Sequence, residues 1–200
     1  MKTIMESWRK RMLSESENDQ TLQMLLSKSA TFRKLWQDMH ESIEDTKFHL
    51  GETTQEHTRK VVSALRELSK DLPEAKRTLF ELLGFLHDIG KPSTRKWNDE
   101  KGKVVFYGHD KAGKELAAKV LEEIAYENKD LLLSLIGHHM DIFQALNTKQ
   151  FAFLAKDKRF PYIEELAYMA KADTLAINKD LSKEIDELVV KVKELRNSAK

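Results

Sequence analysis

Few positions in this chain can stop a helix. Seven glycines and three prolines are spread through 200 residues, while alanine, leucine, glutamate and lysine, all strong helix formers, are plentiful. Strand-like alternation is nearly absent, and apolar residues recur at helical spacing along most of the chain. An all-α fold follows. The exception is "KPSTRKWNDEKGKVVFYG", the least helical segment, which suggests one small hairpin near residues 95–107.

Residues 1–50 read as two or three amphipathic helices, with Leu22, Leu25, Leu26, Phe32, Leu35, Trp36 and Met39 forming an apolar stripe. "FHLGETTQEH" breaks that pattern and suits a helix start near Thr53 or Thr54. The helix that follows carries His57, Val61, Leu65 and Leu68 on one face, so His57 is expected to face the core. "LPEAKRTLFELLGFLHD" opens with Pro73 in its first turn and runs to Asp88. Further helices are expected over "HDKAGKELAAKVLEEIAYE", "KDLLLSLIGHHM" and "PYIEELAYMAKADTLAIN". In the tail, Ile185, Leu188, Val192 and Leu195 have heptad-like spacing, which suits docking on the domain or pairing with a second copy as a homodimer. The expected organisation is a helical extension over 1–50 packed on a core domain at 51–180, then a C-terminal helix at 181–200.

Composition excludes several classes of function. Basic and acidic residues number 34 and 33, a balance unsuited to coating duplex DNA. No cysteine is present, which removes disulfides, thiolate metal sites and cysteine nucleophiles and fits a reducing compartment. No apolar run approaches the roughly 20 residues needed to span a bilayer. The N-terminus "MKTIMESWRKRMLSESEND" lacks the apolar core of a signal peptide. A cytoplasmic protein without a membrane partner is expected.

The histidines are not scattered. His57, His87, His109, His138 and His139 fall at helix ends or on apolar faces, as do Asp88 and Asp173. A buried carboxylate without a partner costs several kcal/mol, and coordination of a divalent cation removes that cost. Gly84, Gly113 and Gly137 lie beside these positions. Glycine inside a helix costs about 1 kcal/mol relative to alanine. That cost is understandable where helices approach closely enough to share an ion, or where glycine merely permits a crossing.

At these residues the sequence resembles the HD-domain metal-dependent phosphohydrolases. Their pattern of a histidine, a later His-Asp doublet and a distant aspartate is matched by His57 in "QEHTRKVV", His87 and Asp88 in "FLHDIGKP", and Asp173 in "MAKADTLA". The resemblance runs from about residue 53 to 178 and looks most like the HD domain carried behind the catalytic head of bacterial tRNA nucleotidyltransferases. Nothing ahead of residue 50 reads as such a head, so a free-standing HD domain is expected, without nucleotide addition. The resemblance implies an HD helical bundle holding one divalent cation through His57, His87, Asp88 and Asp173. A second cation would use His109 with His138 and His139, and Asp88 would bridge. Nitrogen and carboxylate donors suit Mn, Fe, Co, Ni or Zn. Adjacent helical residues point about 100° apart, so ligation by both His138 and His139 requires the helix end to bend.

Divalent cations bring the pKa of water toward neutrality and polarise phosphoryl oxygens. Asp88 is the expected catalytic ligand, and the resemblance makes Lys91 a phosphate contact. Residues 91–114 carry seven basic and three acidic residues, Lys111 and Lys114 among them, an excess that would attract phosphate around the metal or simply solvate a loop. Trp97, Phe106 and Tyr107 are interleaved there and suit either base stacking or core edging. The expected substrate is a phosphorylated small molecule, nucleotide or RNA end. Resemblance to the tRNA-enzyme HD domains implies 2′,3′-cyclic phosphodiesterase, 2′-nucleotidase or phosphatase activity. A second reading is a two-metal cyclic-nucleotide or cyclic-dinucleotide phosphodiesterase, although the Gly-Tyr-Pro signature of the latter is absent from "KPSTRKW". The third is a non-catalytic HD scaffold that binds a nucleotide or partner.

Overall fold

Side-chain caps place the first helices. A computed structural model describes residues 19–45, 50–156 and 160–198. Asp19 accepts from Leu22 N and opens α1 (Gln20–Lys28), and Ser29 caps α2 (Ala30–Glu41) in the same way. The chain then pairs β1 (Ile43–Asp45) with β2 (Leu50–Thr53) as an antiparallel hairpin. This hairpin lies where the sequence suggested helix followed by a break. Strands this short hold few ladder bonds of their own, and the fold around them supplies the rest.

Thr53 closes a capping box with Glu56 and starts α3 (Thr54–Ser69), as expected. His57, Val61 and Leu65 are all fully buried on its inner face. α4 (Glu74–Leu86) packs antiparallel against it, and Gly84 is the crossing point. A Cβ there would lie 2.8 Å from Val62 Cγ2 and 3.0 Å from Leu65 Cδ1. Pro73 sits one residue before α4 rather than in its first turn.

A short helical turn, α5 (Lys91–Thr94), leads into the expected hairpin, β3 (Lys96–Asn98) with β4 (Lys103–Val105). α6 (His109–Glu123), α7 (Lys129–His138), α8 (Asp141–Thr148) and α9 (Ala152–Lys156) follow. A 3-10 turn at Phe160–Tyr162 then precedes α10 (Ile163–Ala176), which lies along α3. The tail forms α11 (Ser182–Ser198). Ile185, Leu188 and Val192 are buried against α9 and α10, while Leu195 is exposed. The stripe docks on its own chain.

α1 and α2 belong to the same core. Leu22, Leu25, Phe32, Trp36 and Met39 are buried, Trp36 meets Phe85 edge to face, and Arg66 of α3 bonds both Asp19 and Glu81. Among the described residues no helix is long and apolar enough to cross a membrane. The fold is an all-α bundle with two small hairpins, and both hairpins lie beside the same helix ends.

Candidate metal centre

Helix ends deliver the polar residues that the core would otherwise reject. His57 comes from the first turn of α3, His87 ends α4, Asp88 sits in the turn after it, His109 begins α6, His139 ends α7 and Asp173 projects from α10. His57 is fully buried, His87, Asp88 and His139 are at most 2% exposed, and His109 is 8% exposed. Donor atoms gather in two groups, His57 with His87 and Asp88, and Asp88 with His109 and His139.

Asp88 joins them, one oxygen to each group. Its Oδ2 lies 3.0 Å from His87 Nε2 and 3.7 Å from His57 Nε2. Its Oδ1 lies 3.3 Å from His109 Nε2 and 3.8 Å from His139 Nε2. Asp173 Oδ1 adds a second carboxylate 2.8 Å from His57 Nε2.

The other ring nitrogens explain why these Nε2 atoms converge. Nδ1 of His87, His109 and His139 each donates to the carbonyl three residues earlier, those of Gly84, Phe106 and Ile136, at 2.7–2.8 Å. In a neutral imidazole this leaves Nε2 as the lone-pair nitrogen. His57 differs. Its Nδ1 is 3.6 Å from Glu52 Oε1 on β2. His87 Nε2 is buried without a hydrogen-bond partner among the described residues, and His109 Nε2 and His139 Nε2 are 3.0 Å apart. Orphaned and crowded lone pairs facing a shared carboxylate fit a cation, and a donor set of nitrogen and oxygen alone suits Mn, Fe, Co, Ni or Zn.

Burial and neighbouring charge work against each other at Asp88, Asp173, His57 and Lys91, and together at His139. Burial would raise the Asp88 carboxyl, but neighbouring His87 and Lys91 overcome it and hold the group well below its usual range. Asp173 is lowered in the same way, with its bond to His57 outweighing burial. Burial opposes a charge on His57, yet its hydrogen bond to Asp173 and the nearby Glu52 carboxylate raise it to about 9. Burial pushes His139 down to about 4, with His109 and His87 adding to the effect. Lys91 is buried, but Asp88 and Glu44 carry it above its ordinary value.

Six of the seven expected ligands therefore meet: His57, His87, Asp88, His109, His139 and Asp173. His138 does not enter either group. α7 ends without the bend that ligation by both neighbours required, and His138 Nδ1 instead faces Asp141 Oδ2 at 3.3 Å with its side chain 32% exposed. Lys91 is at the centre, with its ammonium 2.8 Å from Asp88 Oδ2 and bonded to both oxygens of Glu44. Lys111 and Lys114 are exposed on α6, and the stem of Lys114 lies over Gly137. Glu44 and Glu52 were not anticipated. Their stretch, "IEDTKFHLGET", reads as an ordinary charged loop, and only its proximity to a helix start hinted otherwise.

The chain is similar in sequence to known proteins. Over 124 residues the chain is 31% identical to a CC-adding tRNA nucleotidyltransferase of Thermus thermophilus, covering 60% of this chain and 27% of that one. Over 81 residues it is 33% identical to an A-adding tRNA nucleotidyltransferase of Deinococcus radiodurans, covering 40% and 18%. The chain thus spans about a quarter or less of the length of these relatives. The HD domain family model matches residues 54–186, from the start of α3 into α11. With that match covering most of the sequence, the chain belongs to the HD domain family, within the superfamily of metal-dependent phosphohydrolases.

Proposed function

We propose that this protein is a metal-dependent phosphohydrolase acting on nucleotides or RNA ends, of the 2′,3′-cyclic phosphodiesterase, 2′-nucleotidase or phosphatase type. One observation carries the proposal: the two oxygens of Asp88 face two separate histidine pairs. His57, His87, Asp88 and Asp173 would hold one divalent cation, and Asp88, His109 and His139 a second. Cations held there supply hydroxide near neutral pH and draw charge from phosphoryl oxygens.

The chain's own groups do the rest. Asp88 positions both halves of the centre, and the backbone carbonyls behind three imidazoles keep their lone pairs aimed at it. Lys91 places a positive charge beside Asp88, where a phosphate would arrive. No cysteine is available as a nucleophile, so attack by water suits the cluster. Trp97 and Tyr107 are exposed, and Lys96, Lys101 and Lys103 lie near them in the chain, side chains suited to a nucleobase and its phosphates. The tRNA enzymes among the relatives make a nucleotide or RNA end the natural first substrate to try.

The test is hydrolysis of 2′,3′-cyclic AMP by EDTA-stripped protein and by protein refilled with Mn, Co, Ni or Zn, with Asp88→Ala alongside. Turnover restored by metal and absent from the variant is expected. A wild-type protein that binds no metal would refute the proposal. The placement of Asp88 between the two histidine pairs also favours a two-metal cyclic-nucleotide or cyclic-dinucleotide phosphodiesterase as the second reading. A stoichiometry near two ions per chain, with cyclic dinucleotides turned over faster than 2′,3′-cyclic AMP, would select it.

A further inference from the structure

β1 and β2 precede the segment that matches the HD family, yet each delivers a carboxylate to the cluster. Glu44 and Glu52 are cross-strand partners in the hairpin register. Like charges directly opposite one another destabilise a sheet, and a two-stranded hairpin is marginal even without them. The reason for the pair lies outside the hairpin. Glu44, only 1% exposed, receives Lys91 Nζ on Oε1 at 3.0 Å and on Oε2 at 2.8 Å. Glu52 faces His57 Nδ1 with one oxygen and bonds Lys60 with the other. The strands are anchored where they meet α3. Thr54 N donates to Ser42 O at 2.8 Å, and Thr53 caps the helix that bears His57.

We propose that Glu44 and Glu52 are positioning residues of the metal centre, contributed by the hairpin that precedes the family segment. Glu52 sets the ring of His57 from its far nitrogen, and Glu44 holds the Lys91 ammonium against Asp88. The inference rests on the metal-centre reading above. Within the family segment, Asp88 and Asp173 supply the negative charge and Lys91 offsets part of it. The hairpin adds two carboxylates, of which Glu52 is shared with Lys60, and so shifts the cluster toward the negative charge that a seat for dications needs. A carboxylate behind a ligating imidazole fixes its orientation and raises its basicity, and loss of such a partner typically weakens metal binding 10- to 100-fold.

The test is a cobalt titration of the full chain, read by visible absorption, which reports the ligand geometry as well as affinity. Glu52→Gln is expected to weaken cobalt binding about tenfold and to change the absorption bands, while Glu52→Asp, which keeps the charge, recovers part of the loss. Glu44→Gln leaves Lys91 competing for Asp88 and is expected to weaken binding by a similar factor of about ten. Ile43→Ala alters the same strand at an exposed side chain and is expected to bind cobalt like the wild type. Affinity and spectrum within about twofold of wild type in both glutamine variants would overturn the inference. So would an equal loss of affinity in Ile43→Ala, which would reduce the hairpin to a structural role. A wild type that takes up no cobalt removes the metal-centre reading and this inference together. Full uptake by wild type with unaffected glutamine variants removes this inference alone.

Discussion

His87, His109 and His139 direct Nδ1 to a carbonyl three residues back in their own chain, whereas His57 directs it to Glu52, on a different element. The first arrangement is complete as soon as a helix terminus forms. The second requires a hairpin, a capped helix and α10 to be in place together, since Asp173 holds the other side of the ring. The half with His109 and His139 is thus orientated by local backbone alone, and the half with His57 and His87 by tertiary packing as well. The local half should tolerate changes elsewhere in the molecule, and the tertiary half should register them.

Asp88 belongs to both halves, so its removal should erase the distinction. Asp88→Ala is expected to lose both cations and to lower metal-dependent hydrolysis at least about a thousandfold, with far-UV circular dichroism showing the helices retained. His109→Ala should separate the halves. Metal analysis is expected to show one ion per chain in place of two, held by His57, His87, Asp88 and Asp173, with turnover reduced roughly a hundredfold. Gly90→Ala strikes the local half through the backbone. A Cβ there would lie 2.2 Å from His109 O and 2.5 Å from Gly113 N, so α6 must move away from the Asp88 turn. A cost of about 2–3 kcal/mol is expected. Thermal melting should show a Tm lower by roughly 5–10 °C, and the His109 ion should be lost before the His57 ion. His138→Ala is the smallest change. Because His138 faces Asp141 and not Asp88, metal affinity by calorimetry is expected to stay within about twofold of wild type.

Much of the centre was legible in the sequence. The run of leucines ending at His87-Asp88 and the periodicity that turned His57 and Asp173 inward follow from helical spacing alone, and the family resemblance linked them. The choice between His138 and His139 was not legible. Neighbours on a helix point in different directions, and only the packing of α7 against α6 decides which ring meets His109. Gly84 was singled out as a place of close helix approach, but Gly90, where the backbone comes nearest, falls in a turn where glycine is unremarkable. Glu44 and Glu52 were hidden for a different reason. Their partners lie far along the chain or on the next helix, and charged residues in a short break between helices ordinarily face water.

The contact between Gly90 and Gly113 has a consequence for the chain between them. A Cβ on Gly90 would also come within 3.0 Å of Gly113 Cα, so the backbone leaves the Asp88 turn and returns through nearly the same point. β3 and β4 lie between those two points, with Val104 buried and β4 against β1, and the exposed residues 99–102 project from them as a pendant. Lengthening such a pendant costs little in closure entropy, and its ends need not move. Residues 97–103 therefore behave as a cassette. A hairpin of another length or charge grafted there is expected to change which molecules reach the histidine and aspartate cluster while leaving that cluster intact.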